Sequence, residues 1–397
     1  MRRKLRSLYI CYLSLEDPLV HTQVVAYLEG LARRGHTLHL LTFDPELPAG
    51  RRRALRDELA GRGITWHSLR YHKRPSLPAT VYDCLVGALV ATRLIRRHRL
   101  DAVHARNHVP AVCSMIAQHL TRCRFIFDLR GLMAEEYVDA GRWRRGGLPY
   151  RITNRVQRVA IRRADHVVML TEALRRYLFA DAGPDAPLTV IPCCVDFARL
   201  NGSREPVGGN RSTMVYVGKF SGRYMEREVA QFFAAARALE PNLFFLVLTQ
   251  SDRAAIEREL AEAQVPQSAF EVTQSPPGEI GGYLERAGFG VSFYQPGLGG
   301  VACSPTKVGE YLGAGLPVIV SAGTGDLDEL LDGEGVGVVV RDFSATGYQA
   351  AAREILALAA DPNCAAHCRA VARERLSLER VGIPRYDRLY SELAQSQ

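Results

Sequence analysis

Short apolar runs alternate with stretches of helical periodicity along the whole chain. In the first half the runs of strand length are Leu8–Leu13, Thr37–Thr42, Ile64–Ser68, Ala102–Ala105, Phe125–Asp128, His166–Leu170 and Thr189–Ile191. In the second half they are Met214–Val217, Phe244–Thr249, Phe289–Phe293, Val318–Ser321 and Gly337–Val340. Because buried apolar strands separated by helices are typical of parallel sheets, the pattern predicts an α/β fold.

Three segments show helical spacing of their apolar residues. Gln23–Arg33 has one apolar face, and Gly35 is placed to end the helix. Tyr150–Arg163 is rich in arginine, and we expect it to pack against the sheet, with contact to a membrane surface as the alternative. Its predicted apolar face consists of Ile152, Val156, Val159 and Ala160. Ile383–Ala394 forms the final predicted helix.

A stretch with the composition of a linker interrupts the alternation at residues 201–210. We therefore predict a first Rossmann-like domain over residues 1–200, a linker over 201–212 and a second Rossmann-like domain over 213–380. Residues 381–397 hold the final helix. In doubly wound sheets ligands bind at the carboxyl ends of the strands, so binding residues are expected just after strands.

The composition is that of a soluble globular protein, with 47% hydrophobic and 23% charged residues among 397. No stretch of 18 uncharged apolar residues is present, so no membrane-spanning helix is expected. The basic start, residues 1–6, precedes an apolar run that is too short for a signal peptide. Nine scattered cysteines, an odd number, indicate reduced thiols and a cytoplasmic location.

A metal site is not expected. Cys364, His367 and Cys368 lie within five residues of one another, but two or three ligands on one surface helix make a poor zinc site without a distant partner pair.

Charge is distributed unevenly between the halves. Residues 1–200 hold 33 Lys and Arg against 18 Asp and Glu, a net charge of +15, whereas residues 201–397 hold 18 against 24, a net charge of −6. A basic first half fits nucleic acid, an anionic membrane surface or an acidic substrate. No zinc-finger, RNA-binding or helix-turn-helix signature accompanies the arginine clusters, so nucleic acid is the weakest of the three.

The segment Ser304–Val320 is the most informative motif in the sequence. It predicts a loop, a helix that opens just after Pro305, a stop at Gly315 and a buried strand. The free N–H groups and partial positive charge of a helix N-terminus suit a diphosphate. Glu310 lies about one and a half turns further in, where its carboxylate can accept both hydroxyls of a ribose. A plain helix-to-strand junction does not explain Lys307 three residues before Glu310.

This segment resembles the donor-sugar motif of retaining glycosyltransferases with the GT-B fold, of the family 4 type found in bacterial surface-polysaccharide synthesis. The matching positions are Pro305, Lys307, Glu310, Tyr311, Gly315, Pro317 and Val318. The family usually has a second Glu eight residues before the ribose-binding one, where this chain has Ala302. The resemblance implies two doubly wound domains facing across a cleft, with a C-terminal helix that crosses back to the first domain.

The resemblance also assigns donor-binding residues. The loop after Val215–Val217 matches the family's loop of two cations that hold the leaving nucleoside diphosphate. It supplies Gly218, Lys219 and Arg223, with Arg227 as a substitute for the second cation. The donor set is then Gly218, Gly299, Gly300, Ser304, Pro305, Thr306, Lys307 and Glu310. Gly299 and Gly300 belong to a glycine-rich loop that is equally well explained as a plain turn.

In the first domain, polar residues follow two of the predicted strands. His104, Arg106 and Asn107 end one strand, and the family tends to place a His beside the donor sugar there, which favours His104 over His108. After the next strand, an Asp-x-Arg-Gly sequence followed by acidic residues is similar to a subset of family 4 enzymes. We expect the acceptor side to comprise Arg106, Asn107, Asp128, Arg130, Glu135 and Glu136. Residues 14–21 lack the consecutive glycines that many members have.

These assignments predict a retaining hexosyl transfer from a nucleotide sugar to a hydroxyl acceptor, with His104, Lys219, Arg223 and Glu310 as the catalytic group. No carboxylate pair at glycosidase spacing is identifiable, so front-side attack is favoured over double displacement. We expect no cofactor and no metal beyond the nucleotide sugar as co-substrate. The alternatives are a nucleotide-sugar epimerase and a catalytically silent nucleotide-sugar-binding module, which Ala302 favours.

The predicted partners are the nucleotide sugar and a hydroxyl acceptor, which is a sugar that is soluble, acidic or lipid-linked. A cytoplasmic location follows, with peripheral association at the inner membrane face as an open alternative because of the basic first half. A dinucleotide dehydrogenase is disfavoured, since no Gly-x-Gly-x-x-Gly follows the first strand.

Overall fold

A computed structural model shows two parallel α/β sheets, as predicted. The structure describes residues 4–72, 74–181, 183, 186–200, 212–220, 222–274 and 278–395. Most of the linker predicted at 201–212 lies outside these ranges.

The first sheet has seven parallel strands in the order β3-β2-β1-β4-β5-β6-β7. Its strands are β1 Arg6–Cys11, β2 Thr37–Asp44, β3 Ile64–Arg70, β4 Ala102–Arg106, β5 Arg124–Leu129, β6 His166–Met169 and β7 Leu188–Val190. The order reverses between β1 and β4, which is the switch point where doubly wound sheets hold ligands.

The second sheet has six parallel strands in the order β10-β9-β8-β11-β12-β13. Its strands are β8 Thr213–Val217, β9 Phe244–Leu248, β10 Phe270–Thr273, β11 Phe289–Ser292, β12 Val318–Ser321 and β13 Gly337–Val340. All twelve predicted strands are present, and β10 was not predicted. It is a short edge strand in which exposed Glu271 interrupts the apolar run.

Helices connect the strands within each sheet. The α-helices are α1 Pro18–Val20, α2 Ala26–Arg33, α3 Ala49–Gly61, α4 Ser76–His98, α5 His108–Thr121, α6 Met133–Asp139, α7 Leu148–Arg163, α8 Glu172–Leu178, α9 Glu226–Leu239, α10 Arg253–Glu262, α11 Ile280–Leu284, α12 Leu298–Val301, α13 Thr306–Ala314, α14 Leu327–Glu334, α15 Ala345–Ala360, α16 Cys364–Arg375 and α17 Ile383–Gln395. Single π-helical turns lie at His21–Val25 and Leu378–Gly382, and 3₁₀ turns at Phe197–Arg199 and Gln267–Ala269.

Two compact units contain these sheets. The first comprises Met1–Val138, Trp143–Pro192 and Val381–Gln397, and the second comprises Asp139–Arg142 and Cys193–Arg380. The first unit thus ends eight residues before the predicted domain end at residue 200.

The segment after Pro192 belongs to the second unit because its backbone pairs there. The Val195 N–H donates to Leu376 O at 2.8 Å, and the Leu378 N–H donates to Val195 O at 2.9 Å. Side-chain packing reinforces this, since a Cβ placed on Gly309 would lie 2.8 Å from Val195 and one on Gly313 would lie 2.3 Å from Phe197. The two glycines of α13 therefore let this segment approach the helix closely.

The C-terminal helix α17 belongs to the first unit. Ile383 packs so closely on α2 that a Cβ on Gly30 would lie 2.1 Å from it. Asp387 accepts from His36 Nε2 at 2.8 Å and from Arg34 at 3.1 Å, and Lys4 lies at 3.3 Å. These contacts fix α17 beside the first sheet, as the family resemblance implied.

Helix α7 covers the predicted segment Tyr150–Arg163 but buries a different face. Thr153, Gln157 and Ala160 are its buried residues, whereas Ile152 is exposed. The reason is a polar contact, because Gln157 Oε1 pairs with the buried His108 Nε2 at 3.1 Å on α5.

Helix α4 is apolar enough over Leu77–His98 to span a membrane by length and composition, with a mean hydropathy of 1.3. No other described helix meets that test. Half of the apolar window is buried inside the protein, and a single helix of this kind is weak evidence for a membrane span.

Candidate functional site

The loop after β8 and the start of α13 come together in the second unit. The Tyr311 hydroxyl accepts a hydrogen bond from the Val217 N–H at 2.8 Å, which ties α13 to the end of β8. A Cβ on Gly290 would lie 2.2 Å from the Tyr311 ring, so this docking requires a glycine in β11. Gly218 follows with φ of +108°, a left-handed conformation that side chains disfavour. Tyr311 thus fixes the position of α13 relative to the end of β8.

Lys307 lies at the centre of this arrangement. A Cβ on Gly218 would be 3.7 Å from Lys307 Nζ, so the ammonium group lies against the bare backbone of the loop. Within the described residues Nζ has no hydrogen-bond partner, although the side chain is buried. A buried cation without a partner is costly, and such a group is expected where a ligand supplies the missing acceptor.

Two tyrosine rings flank the Lys307 ammonium group. Nζ lies 3.8 Å from the Tyr216 ring centroid and 4.1 Å from the Tyr224 centroid, both within cation–π range. Tyr224 is held in turn by a hydrogen bond of 2.7 Å from the Tyr294 hydroxyl. We call Tyr216, Tyr224 and Tyr294 the tyrosine cage.

Burial controls the charge of Lys307 and of its helical neighbour Glu310. Burial lowers the pKa of Lys307 well below its usual value, and the nearby Glu310 carboxylate opposes the shift only in part. Burial likewise raises the pKa of Glu310, against the influence of Lys307 and Arg199. In both groups burial thus shifts the pKa toward the uncharged form.

Helix α13 begins as predicted. Pro305 is its N-cap, Thr306 is its first residue, and Gly315 ends it with φ of +91°. Ser304 accepts a hydrogen bond from the Cys193 N–H at 3.0 Å, which holds the approach to the helix. The N-terminus of α13, Gly218, Lys307 and Glu310 thus share one locality in the second unit.

The other predicted cations are Lys219, Arg223 and the substitute Arg227. Lys219 is exposed, and the structure describes no contact of its ammonium group. The Arg223 guanidinium lies 5.8 Å from the centroid of the Tyr294 ring, which belongs to the tyrosine cage. Arg227 is exposed and lies 3.8 Å from Glu262. Lys307, from α13, is the predicted cation whose ammonium group lies against the backbone at Gly218.

The glycine-rich loop is engaged by a carboxylate of the same unit. The Gly299 N–H donates to Asp139 Oδ2 at 3.0 Å, and a Cβ on Gly297 would lie 2.8 Å from that carboxylate. The Gly300 N–H donates to Gly297 O at 3.0 Å, which forms the predicted turn. Ala302 follows in a buried position, where the family's Glu is missing.

A second polar cluster lies in the first unit, at the carboxyl ends of β4 and β5. Asp128 is fully buried, and its carboxylate accepts hydrogen bonds at 3.2 Å from both the Tyr9 and the Tyr386 hydroxyls. Arg130 lies 3.7 Å from Asp128, and Arg106 lies 4.0 Å away. We call Asp128, Arg106 and Arg130 the buried ion cluster.

The cluster keeps Asp128 ionised. Burial alone would raise its pKa, but Arg130, His104 and Arg106 outweigh burial and hold the pKa of Asp128 at about 2. Within the described residues, Asp128 Oδ1 and Arg106 Nη1 have no hydrogen-bond partner. Asp128 is thus the counter-charge of both buried arginines, and the arginines in turn keep Asp128 ionised.

His104 is buried beneath α17. Its Nδ1 pairs with the Tyr390 hydroxyl at 2.8 Å, and its ring lies 4.4 Å from the Tyr9 ring. Burial lowers the pKa of His104, so the imidazole is neutral near pH 7. Its contacts support a positioning role for the buried ion cluster, and the catalytic role stays a prediction.

Asn107 and the acidic residues after β5 are also held by internal contacts. Asn107 has φ of +68°, and its side chain accepts from the Arg130 N–H at 3.0 Å. Glu135 accepts from the Tyr150 hydroxyl at 2.6 Å and lies 2.7 Å from Arg145. Glu136 packs so closely that a Cβ on Gly131 would lie 2.1 Å from its carboxylate. Their acceptor-side role stays a prediction.

Two groups of tyrosines belong to these sites without having been predicted. Tyr216 and Tyr224 lie next to the predicted donor loop and Tyr294 precedes the glycine-rich loop, but no role was assigned to them, whereas Tyr386 and Tyr390 lie on the final helix, far from every motif. Two features of the sequence could have indicated them. Tyr216 is a polar-tipped residue within the apolar strand β8, and Tyr386 and Tyr390 are four residues apart on the final helix.

Metal ligation is not supported in the part of the chain that the structure describes, where no cluster of three candidate ligands exists. The Cys364 and Cys368 sulfurs lie 3.7 Å apart and are buried, whereas His367 Nε2 bonds to Glu334 O at 2.7 Å.

Comparison with known proteins identifies the fold. Residues 20–199 match the sequence model described as Glycosyltransferase Family 4. No curated protein matches the chain. Three solved structures each align with 99% of this chain and 100% of their own: sucrose-phosphate synthase from Thermosynechococcus elongatus (TM-score 0.74, 16% identity), a glycosyltransferase from Rickettsia africae ESF-5 (0.72, 14%) and Anabaena Alr3699/HepE in complex with UDP and glucose (0.68, 13%).

Proposed function

We propose that this chain is a glycosyltransferase of family 4 and moves a sugar from a nucleotide sugar to a hydroxyl acceptor with retention of configuration. The observation that carries the proposal is the buried Lys307 ammonium group, which faces Gly218 and has no hydrogen-bond partner among the described residues. A diphosphate placed there would accept hydrogen bonds from Lys307, from the backbone N–H groups of the loop and from the N-terminus of α13.

The donor is proposed to be a uridine diphosphate sugar. The structurally similar HepE has been solved with UDP and with UDP-glucose, which supports UDP as the first nucleotide to test. Glu310 lies one helical turn from Lys307 and would accept the ribose hydroxyls, because a carboxylate has two acceptor oxygens. Ala302 leaves one family contact to the sugar unfilled.

In the proposed mechanism the cations stabilise charge that develops on the leaving diphosphate. Lys307 would do so from the start of α13, and Lys219 and Arg223 would approach from the loop after β8. The acceptor hydroxyl attacks the anomeric carbon from the side of the leaving group, and its proton passes to the departing phosphate oxygen. The bond from the anomeric carbon to the phosphate oxygen breaks as the new glycosidic bond forms. This chemistry suits a role in polysaccharide or glycoconjugate synthesis.

The direct test is a product assay with a panel of nucleotide sugars, with and without hydroxyl acceptors, read by proton NMR. Transfer with an unchanged anomeric configuration is the expected result. Inverted product would contradict the retaining mechanism. Conversion of the donor without an acceptor would indicate an epimerase, and UDP binding without any conversion would indicate a silent binding module.

Replacing Glu310 by alanine should lower turnover by about a hundredfold while the protein stays folded. The carboxylate is proposed to position the donor ribose, and misplacement of a bound substrate costs about a hundredfold in rate. Steady-state assays with the active donor, accompanied by circular dichroism, check this. Glu262→Ala on α10, an exposed carboxylate in the same unit, is the control and should leave the rate unchanged. A wild-type rate in Glu310→Ala would refute the assignment.

Binding of UDP should be accompanied by proton uptake. In the free protein burial lowers the pKa of Lys307, and an adjacent diphosphate would raise it again, so the bound form holds more protons. Affinity should therefore be highest below the pKa of free Lys307 and fall as pH rises from there through the higher pKa of the bound form. Calorimetric titration in two buffers of different ionisation enthalpy measures the uptake. Lys307→Met should remove it, and equal uptake in both proteins would contradict the assignment.

A further inference from the structure

Helix α4 presents an exposed apolar face that neither sheet nor neighbouring helix covers. Five of the thirteen exposed large apolar side chains among the described residues lie on this one helix. They are Leu77 (58% exposed), Val81 (51%), Tyr82 (55%), Leu85 (54%) and Leu89 (67%). Because they recur three and four residues apart, they form one stripe. Contiguous exposed apolar surface of this kind marks an interaction site.

The stripe continues into arginine. Arg93, Arg96 and Arg97 are exposed in the last two turns of α4, and Arg96 donates to Leu120 O at 3.0 Å, next to another exposed leucine. Asp83 is the only carboxylate in the helix, and it is buried. It accepts from the Tyr12 hydroxyl at 2.7 Å, so it faces the protein interior. The exposed face of α4 therefore carries positive charge with no acidic residue.

The opposite side of α4 anchors the helix to its own unit. Cys84, Ala88 and Ala91 are buried, and a Cβ on Gly87 would lie 2.9 Å from Phe43 and 3.0 Å from Cys113. Since the helix is held along its length by this packing, it can lie on a membrane but cannot cross one without unfolding the unit.

We propose that the exposed face of α4 docks the first unit onto an anionic lipid bilayer. The leucines would insert at the boundary between headgroups and acyl chains, and the arginines would contact lipid phosphates. Charge complementarity favours an anionic bilayer over other occupants, since residues 1–200 carry a net charge of +15. A second copy of the chain is disfavoured, because two arginine-bearing faces would meet with no carboxylate to pair them. The surface is independent of the proposed sugar transfer.

The test is flotation of the full chain with two kinds of vesicle, phosphatidylcholine alone and phosphatidylcholine mixed with phosphatidylglycerol. The unmodified chain should float with the anionic vesicles, and salt should weaken binding. The Leu85→Ser, Leu89→Ser double variant should bind about tenfold or more weakly, because it removes apolar area from the interface. Both leucines are more than half exposed, so folding should be unaffected.

Two matched variants in the same unit separate the rival surfaces. Leu148→Ser, Ile152→Ser removes two exposed apolar residues from α7, the alternative membrane-facing helix, and should retain binding. Arg93→Gln, Arg97→Gln should weaken binding to anionic vesicles, whereas Arg52→Gln, Arg53→Gln on α3 makes the same charge change elsewhere and should weaken it less.

Three outcomes would overturn the proposal. These are absence of flotation by the unmodified chain, loss of flotation in the α7 variant but not in the α4 variant, and a dimer in light scattering that only the α4 variant disrupts. The last result would assign the stripe to a second copy. UDP binding measured in the same proteins should be unchanged throughout, so a failure here leaves the proposed function untouched.

Discussion

Replacing Lys307 by methionine should abolish sugar transfer and leave the protein at least as stable as before. Loss of a charged group that stabilises a transition state costs about 10²–10³ in rate. Stability should respond in the opposite direction, since Lys307 is buried with no hydrogen-bond partner among the described residues. Methionine fills a similar volume between the Tyr216 and Tyr224 rings without a desolvated amine, so a gain of about 1–3 kcal/mol is expected.

The measurements are a single-turnover rate with the active donor and a urea unfolding curve for each protein. Arg258→Met serves as the control, since Arg258 is exposed on α10 in the same unit, and it should change neither quantity appreciably. A Lys307→Met protein that transfers sugar at the unmodified rate would remove the lysine from the mechanism. Strong destabilisation would show instead that Lys307 has a structural role.

Replacing Asp128 by asparagine should destabilise the first unit by about 3–5 kcal/mol. The change leaves the buried Arg106 and Arg130 without their counter-charge. It also alters the acceptor of the Tyr9 hydroxyl from β1 and of the Tyr386 hydroxyl, through which α17 contacts the cluster. Removing one partner of a buried ion pair costs far more than the pair contributes, because the remaining charge is uncompensated.

Urea unfolding, followed by circular dichroism, measures this loss. Asp332→Asn breaks an exposed ion pair with Arg341 and should cost less than about 1 kcal/mol. Similar losses of unfolding free energy in the two variants would mean that the buried ion cluster contributes no more to stability than an exposed ion pair does.

Asp128 should also make the free energy of unfolding depend on pH in the acid range. The pKa of Asp128 is depressed to about 2 in the folded protein, below its unfolded value of about 3.9. Its contribution, about 2 kcal/mol, is therefore complete above about pH 4 and is lost as pH falls toward 2. This loss should be absent from Asp128→Asn.

The sequence predicts strands and motif boundaries well for a physical reason. Strands of parallel sheets are buried on both faces, so they appear as uninterrupted apolar runs, and twelve of thirteen were predicted. Helix α13 was bounded by Pro305 and Gly315, residues whose backbone preferences act locally. Strand positions and helix ends could therefore be predicted, because they depend on residues that are close together in the sequence.

Contacts between distant segments were not predictable in the same way. The tyrosine cage joins Lys307 to Tyr216 and Tyr224, which lie more than 80 residues earlier in the chain. His104 is covered by Tyr390 from α17, 286 residues away. The sequence indicated a site residue at the end of a strand, but it did not indicate that the final helix covers this side chain. Likewise, α7 buries Gln157 rather than Ile152 because of His108 on another helix.

The central claim is that a pocket containing Lys307 and Glu310 binds the nucleotide part of the donor. Thermal unfolding with increasing UDP tests it most directly, in the unmodified chain and in Lys307→Met. At a hundredfold excess over the dissociation constant, UDP should stabilise the unmodified chain by about 2.7 kcal/mol, and the same concentration should barely shift Lys307→Met. Equal stabilisation of the two proteins, or none in either, would contradict the claim.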